Sequence, residues 1–121
     1  MKYLCLIHHD ERALETMSME AFGVLRGRYI EFTESIIAHG HFLAGEALQP
    51  TSAATTVRMR NGTVTTTDGP VVASRESVGG FYLLEARDLN EAIRIAARIP
   101  DAQTGSVEVR PVVDFAASSG G

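Results

Sequence analysis

Residues 79–100 read Gly79-Gly80-Phe81-Tyr82-Leu83-Leu84-Glu85-Ala86-Arg87-Asp88-Leu89-Asn90-Glu91-Ala92-Ile93-Arg94-Ile95-Ala96-Ala97-Arg98-Ile99-Pro100, and within them a strand signature gives way to a helix signature. Gly79-Gly80 opens an apolar run of strand length and composition. Asp88 followed by Glu91 has the spacing of a capping box, in which side-chain oxygens satisfy backbone N–H groups that the first helical turn leaves orphaned. Leu89, Ala92, Ile93, Ala96 and Ile99 then fall on one helix face, and Pro100, lacking an N–H and clashing with the preceding turn, ends it. A β-prone run from Ser106 to about Val113 completes a strand–helix–strand unit.

The same order appears at the other end of the chain. Lys2 to His8 is a short apolar run bounded by charged residues, and it predicts a first, central strand. Ser18 offers an N-cap, Phe22, Leu25, Tyr29, Phe32, Ile36 and Ile37 recur at spacings of three and four, and Gly40 supplies a left-handed stop. This predicts a helix of about twenty residues, longer than the usual three to four turns. Arg26, Arg28, Glu31 and Glu34 lie on its polar side, with Glu31 expected to pair with Arg28 across one turn. His41 to Leu48 reads as a second strand, with Gly45 marking a bulge or a close backbone approach.

Between the two units, Thr55 to Arg60 and Thr63 to Thr67 flank Asn61-Gly62, the strongest short-range hairpin signal. Asp68-Gly69-Pro70 breaks the second arm. The order strand, helix, strand, hairpin, strand, helix, strand predicts an α+β fold, a ferredoxin-like βαββαβ sheet with an inserted β-hairpin. Two helices cover one sheet face. The other would carry residues such as Phe81 or Tyr82, Leu83 or Leu84, and Val107 or Val109, too apolar to leave in water, so a homodimer through the sheet faces, closing a dimeric α/β barrel, is expected.

The chain of 121 residues, 45% hydrophobic and 21% charged, reads as one domain over residues 1–115 with a small polar tail at 116–121, expected to be frayed. With 11 basic against 15 acidic residues its net charge of −4 is the wrong sign for gripping phosphate backbones, which argues against a nucleic-acid partner. Cys5 has no mate for a disulfide and reads as a small core hydrophobe. No apolar run is long enough for a membrane span and no export signal is visible, so a cytoplasmic location is expected. Glycine-rich phosphate loops and Gly-x-Ser-x-Gly are absent, and no cofactor is expected. His8-His9 and His39-x-His41 come nearest to metal-ligand spacing, but adjacent strand residues point to opposite faces, so no metal site is assigned. His39 reads as a cation at a helix C-terminus.

Carboxylates in unusual settings carry the chemical signal. Glu46 interrupts an apolar strand, where a carboxylate is costly unless paired; Arg58, Arg60 or a histidine of the first strand are its candidate partners. Asp68 precedes Gly-Pro in a turn, where its ordinary role is to bond backbone N–H groups. His8 closes the central strand, and Arg75-Glu76 precedes the Gly-Gly strand. His8, Glu46 and Asp68 are thus the candidate catalytic residues, with Asp68 or His8 as base and Glu46 as acid; Arg58, Arg75 and Glu76 are the candidate substrate-binding groups, for a small anionic ligand. The competing reading is that these carboxylates only cap turns and pair with arginines.

Met1-Lys2-Tyr3-Leu4, Ala44-Gly45-Glu46-x-Leu48, Thr67-Asp68-Gly69-Pro70 with Glu76, Gly80-Phe81-Tyr82-Leu83, Asp88-Leu89-x-Glu91-Ala92 and Val107-Glu108-Val109-Arg110-Pro111 form an ordered series. It resembles the YCII-related, or DGPF-domain, family from residue 1 to about 113. The resemblance implies a ferredoxin-like dimeric α/β barrel, a catalytic His-Asp pair in an interior cleft and, in at least one branch, dehydrochlorination of a hydroxylated aromatic ring. It also implies a genomic setting near alternative sigma factors. The family's Asp-Gly-Pro-Phe-x-Glu-Thr-Lys-Glu stands here with Val71 for the aromatic residue, Ala73 for an acid and Arg75 for lysine; a permanently charged Arg75 suits anion binding rather than base chemistry. Two functions follow: a proton-transfer or lyase-type enzyme on a cyclic or aromatic organic acid, or a non-catalytic dimeric ligand-binding or protein-interaction module linked to a sigma factor.

Overall fold

In a computed structural model of the chain, β1 (Lys2–His9) runs between β5 (Ser77–Glu85) and β6 (Ser106–Pro111), antiparallel to both, and β2 (Phe42–Ala47) borders β5. The resulting order, β2-β5-β1-β6, is that of a split βαβ sheet, compatible with the ferredoxin-like expectation. Residues 1–116 are described; from 117 on, the expected frayed tail lies outside them. β3 (Thr55–Arg60) and β4 (Thr63–Asp68) form a separate two-stranded ribbon. Asn61 and Gly62 both have positive φ, 51° and 76°, as a two-residue type I′ hairpin turn requires.

The long helix, α2 (Met19–Ala38), follows a short one, α1 (Glu11–Glu15). The N-cap of α2 is Ser18, whose hydroxyl accepts from Ala21 N at 3.0 Å, and the chain leaves the helix through Gly40 at φ 78°. His39 is the C-cap, with its ring Nδ1 2.8 Å from the Ser35 carbonyl. In α3 (Leu89–Ala96) the Asp88 carboxylate accepts from Glu91 N at 2.9 Å, while Glu91 reaches back to Arg87 N at 2.8 Å, one residue beyond the N-cap. No helix among the described residues is long and apolar enough to cross a membrane.

Strand alternation divides the sheet. Tyr3, Cys5 and Ile7 of β1 and Tyr82 and Leu84 of β5 are buried against Phe32 and Ile36 of α2 and Ala92, Ile95, Ala96 and Ile99 of the α3 segment. In this setting desolvation pushes the Cys5 thiol up to about 11, as befits a core residue. The opposite face carries Leu4 paired with Leu83 and Leu6 paired with Phe81, all half-buried.

Several expectations are corrected. Val107 and Val109 pair with Ile7 and Cys5, which puts them on the helix-covered side; β6 gives the open face an ion pair, Glu108 with Arg110, instead. Of the alternatives Phe81 or Tyr82 and Leu83 or Leu84, it is Phe81 and Leu83 that face the open side, with Tyr82 and Leu84 on the covered one. Leu89 and Ile93 are 45% and 48% exposed, because α3 turns its Ala92–Ile95–Ala96 side to the sheet and small alanines allow the closer approach. Phe22 and Ile37 of α2 are also exposed. Arg28 donates to Gln103 Oε1 at 3.2 Å rather than pairing with Glu31, a tertiary partner displacing a local one. The charged segment after β1 forms α1, capped by the Asp10 carboxylate on Arg12 N at 2.9 Å. β5 starts at Ser77, two residues before the Gly-Gly pair, and β6 ends at Pro111.

Candidate functional site

A cavity of about 460 Å³ lies between α2 and the β2–β5 side of the sheet. Leu14, Phe22, Leu25 and Phe42 give it an apolar wall. The polar groups come mainly from α2, where Arg26, Tyr29 and Thr33, spaced three and four apart, occupy one face. The Tyr29 hydroxyl donates a short hydrogen bond to the Asp101 carboxylate. Asp101 is 9% exposed and sits in the 3₁₀ turn Pro100–Ala102, held there by Gly105 N donating to its backbone carbonyl at 2.7 Å. Burial, and then the adjacent Asp101 charge, push the Tyr29 phenol well above its ordinary value, so it stays protonated.

A second hydroxyl pair stands beside the first. Tyr82 Oη and Thr33 Oγ1 are 2.6 Å apart, and the Tyr82 ring is fixed by edge contacts with Phe32 and Phe42. Its phenol too is raised by burial. The glycine at position 45 is a spatial necessity: a Cβ there would lie 2.7 Å from Cδ1 of Tyr82. Gly79 does the same for His9, whose imidazole lies where a side chain at 79 would have to go, 2.1 Å from its Cβ. Arg26 makes no ion pair among the described residues, so its charge is available to a ligand.

The segment beneath His9 is anchored by a carboxylate. Glu11 accepts from Thr51 N at 2.7 Å, Thr51 Oγ1 at 2.9 Å and Ser77 Oγ at 3.2 Å, tying α1 to the turn after β2 and to the start of β5. These donors hold the Glu11 carboxyl below its usual range. Leu14 of this same α1 lines the cavity.

The residues singled out from the sequence fall in different places. Glu46 is at the rim of this cavity, and its pairing with Phe81 turns its side chain to the open face. His8 and Glu76 share a shallower depression of about 370 Å³ with Ser74, Ser106 and Glu108, in which Ser106 Oγ is 3.4 Å from Glu76 Oε2. His8 and His9 are thus on opposite sides of the sheet. Asp68 ends β4, opposite Thr55, and Arg58 stands opposite Thr65, both in the ribbon and in neither cavity. Arg75, largely exposed, has its Nε 3.5 Å from Asp10 Oδ2. Within one protomer no contact joins Glu46, Asp68 and His8.

Tyr29 and Asp101, 72 residues apart, have no joint signature in the sequence. Tyr29 lies on the apolar stripe of α2 and reads as core; Arg26 reads as solvated. The one available signal was Asp101 directly after Pro100, whose ring favours the start of a tight turn, here the 3₁₀ turn that follows α3.

An α+β protein with this sheet order and a helix-side cavity is one class of fold serving many chemistries. The chain belongs to the YCII-related domain family, whose model matches residues 1–116. It is 32% identical over 114 residues, 93% of this chain and 92% of the relative, to an uncharacterized protein of Rhizobium meliloti (strain 1021). Among solved structures it is similar to 5-chloro-2-hydroxyhydroquinone dehydrochlorinase (TftG) from Burkholderia phenoliruptrix, in complex with 2,5-dihydroxybenzoquinone. That likeness has a TM-score of 0.53 over 97% of this chain and 98% of the other at 14% identity, and it speaks to the fold.

Proposed function

We propose that the α2 cavity binds a small, largely apolar cyclic or aromatic molecule bearing an acidic hydroxyl, and that Tyr29 and Asp101 take up its proton in a lyase-type reaction. The observation that carries this is the buried Tyr29–Asp101 pair, set in a cavity whose remaining wall is apolar. Because Tyr29 gives its proton to the carboxylate, its oxygen presents lone pairs to the cavity. When a ligand hydroxyl transfers its proton to Tyr29 Oη, the original Tyr29 proton passes to Asp101; one O–H bond breaks and one forms at each step. The ligand is left as an anion, which Arg26 on the preceding turn of α2 is placed to balance. In a ring tautomer whose halogen-bearing carbon is tetrahedral and conjugated with that oxygen, the oxygen's electron pair forms C=O, the ring double bond shifts, and the C–Cl bond breaks with its pair leaving as chloride. The ligand's proton and chloride together make up the HCl lost. The TftG dehydrochlorinase, which shares the fold, is named for a reaction of that class. Glu46, at the rim, is the second carboxylate available.

The test is to incubate the protein with chlorinated and unchlorinated hydroxyquinols and hydroxylated aromatic acids, following chloride release and ligand-induced thermal stabilisation. Asp101→Asn is expected to bind within a few-fold of wild type and to lose about 10²-fold or more in kcat, the usual scale of a general base. Arg26→Gln is expected to raise KM. Unchanged turnover in both Asp101→Asn and Tyr29→Phe overturns the assignment. Tight binding without turnover by the wild type makes the chain a ligand-binding module instead.

A further inference from the structure

Thr33 and Tyr82 take no part in the proton transfer between Tyr29 and Asp101, yet both line the same cavity. Their hydroxyl oxygens are 2.6 Å apart, and either can be the donor. Two hydroxyls carry two O–H groups, and the bond between them uses one. Among the described residues neither hydroxyl has another hydrogen-bond partner, so one O–H is left over whichever of the two donates. An O–H in a largely apolar space is costly to leave without an acceptor, which makes this a seat for an incoming oxygen. The seat is rigid: Phe32 and Phe42 hold the Tyr82 ring edge-on, and the missing Cβ of Gly45 leaves it room.

The two hydroxyl stations are complementary. Tyr29 spends its only proton on Asp101 and offers lone pairs alone. One turn along the same helix face, where Cβ atoms are about 5–6 Å apart, Thr33 and Tyr82 offer a proton. The stations are within electrostatic reach of each other: after burial and the Asp101 charge, the Tyr82 phenol adds to the upward shift of Tyr29. A ligand that satisfies both gives a proton at one point and accepts one at another.

We propose that Thr33 and Tyr82 form a second oxygen subsite, donating a hydrogen bond to a carbonyl oxygen of the ligand. The cavity then selects rings that carry a hydroxyl at Tyr29 and a carbonyl away from it over rings with the hydroxyl alone. This rests on the reading of the cavity given above and names the ligand class more narrowly. The ring tautomer of the elimination meets the requirement. A ring carbon becomes tetrahedral when a hydroxyl proton moves to it, and the oxygen that gives up the proton becomes C=O. Thr33 and Tyr82 make and break no covalent bond; they determine which tautomer is held. A phenol without a second oxygen leaves their O–H unpaired.

Calorimetric titration of the full chain with two unreactive probes, 4-hydroxyacetophenone and 4-ethylphenol, tests it at a pH where both stay un-ionised. The probes are close in size and differ in the carbonyl oxygen. Wild type is expected to prefer the ketone by about tenfold, the worth of one net hydrogen bond, and this comparison needs no variant. Either hydroxyl alone can still donate, so both are removed together. Thr33→Val with Tyr82→Phe replaces the pair by apolar groups of the same shape, a change that is nearly neutral for stability. The double variant is expected to bring the preference to within about twofold while binding 4-ethylphenol as wild type does, and Thr33→Ser is expected to keep the preference. Equal affinities in wild type, a preference that survives in the double variant, or no binding of either probe at millimolar concentration each overturns the proposal. Tyr29→Phe separates it from the proton-transfer reading: it is expected to weaken both probes alike and leave the ketone preference. Unchanged affinity for both probes in Tyr29→Phe sinks the proton-transfer reading alone, and loss of the preference there overturns the second subsite.

Discussion

The two faces of the four-stranded sheet are made from alternate residues of the same strands and have met different fates. On one, Tyr3, Cys5, Ile7, Tyr82 and Leu84 are buried beneath two helices; on the other, Leu4, Leu6, Phe81 and Leu83, also apolar, are only half-buried. Polar chemistry divides the same way. The covered face holds two tyrosine hydroxyls desolvated enough to raise their proton affinities and, beside one of them, the buried Asp101 carboxylate, whereas the open face holds the Glu108–Arg110 pair, Glu46 and the His8–Glu76 depression. A group's placement relative to the helices, more than its type, decides whether it is chemically primed.

The sharpest way to break this comparison is a matched truncation. Leu84→Ala removes a fully buried side chain and is expected to cost about 2–5 kcal/mol in denaturant unfolding, the range for core leucines. Leu83→Ala, its neighbour on the open face, is expected to cost about 1 kcal/mol or less at low micromolar concentration. Equal losses would mean that the open face is already covered within one protomer. Next in size is Gly79→Ala, which forces the His9 ring from its seat on β5 and is expected to cost about 1–3 kcal/mol, the scale of overpacking. The same variant should weaken ligand binding in the α2 cavity; a normal melting temperature with unaltered binding would show that His9 does not shape it.

The smallest effect probes the solvated end. Glu11 has a folded-state pKa below its unfolded value, so its hydrogen bonds contribute stability that is present above the ordinary carboxylate range and is lost as pH falls through the lowered value. The melting temperature of Glu11→Gln should therefore lie below that of wild type at neutral pH, and the gap should close as pH falls through the lowered carboxyl value. A difference that persists at low pH would assign the effect to packing of α1 rather than to the carboxylate.

Local rules carried most of the fold. The Asn61-Gly62 turn, the Ser18 and Asp88 caps, the Gly40 exit and the central place of β1 were legible because each depends on a few neighbouring residues or on one hydrophobic run. The rotation of α3 was not, since Leu89 and Ile95 are equally apolar and only the sheet's shape chooses between them. The ordered motifs also pointed to the family without showing which acids turn inward. Glu46, Asp68 and Glu76 stand out in the sequence because they interrupt apolar or glycine-rich stretches, yet Asp101, the acid that is buried, does not.

By itself the sequence determined one α+β unit with two capped helices, a β-hairpin between two strand–helix–strand halves, and a sheet with two apolar faces, because periodicity, caps and turn chemistry act over a few residues. Only the tertiary structure decided which face the helices cover, that Val107 and Val109 belong to it, and that Tyr29 of α2 meets Asp101 across 72 residues in a space dry enough to hold the phenol protonated. Such a pairing is a matter of distance and dielectric, and both come into existence only when the segments pack.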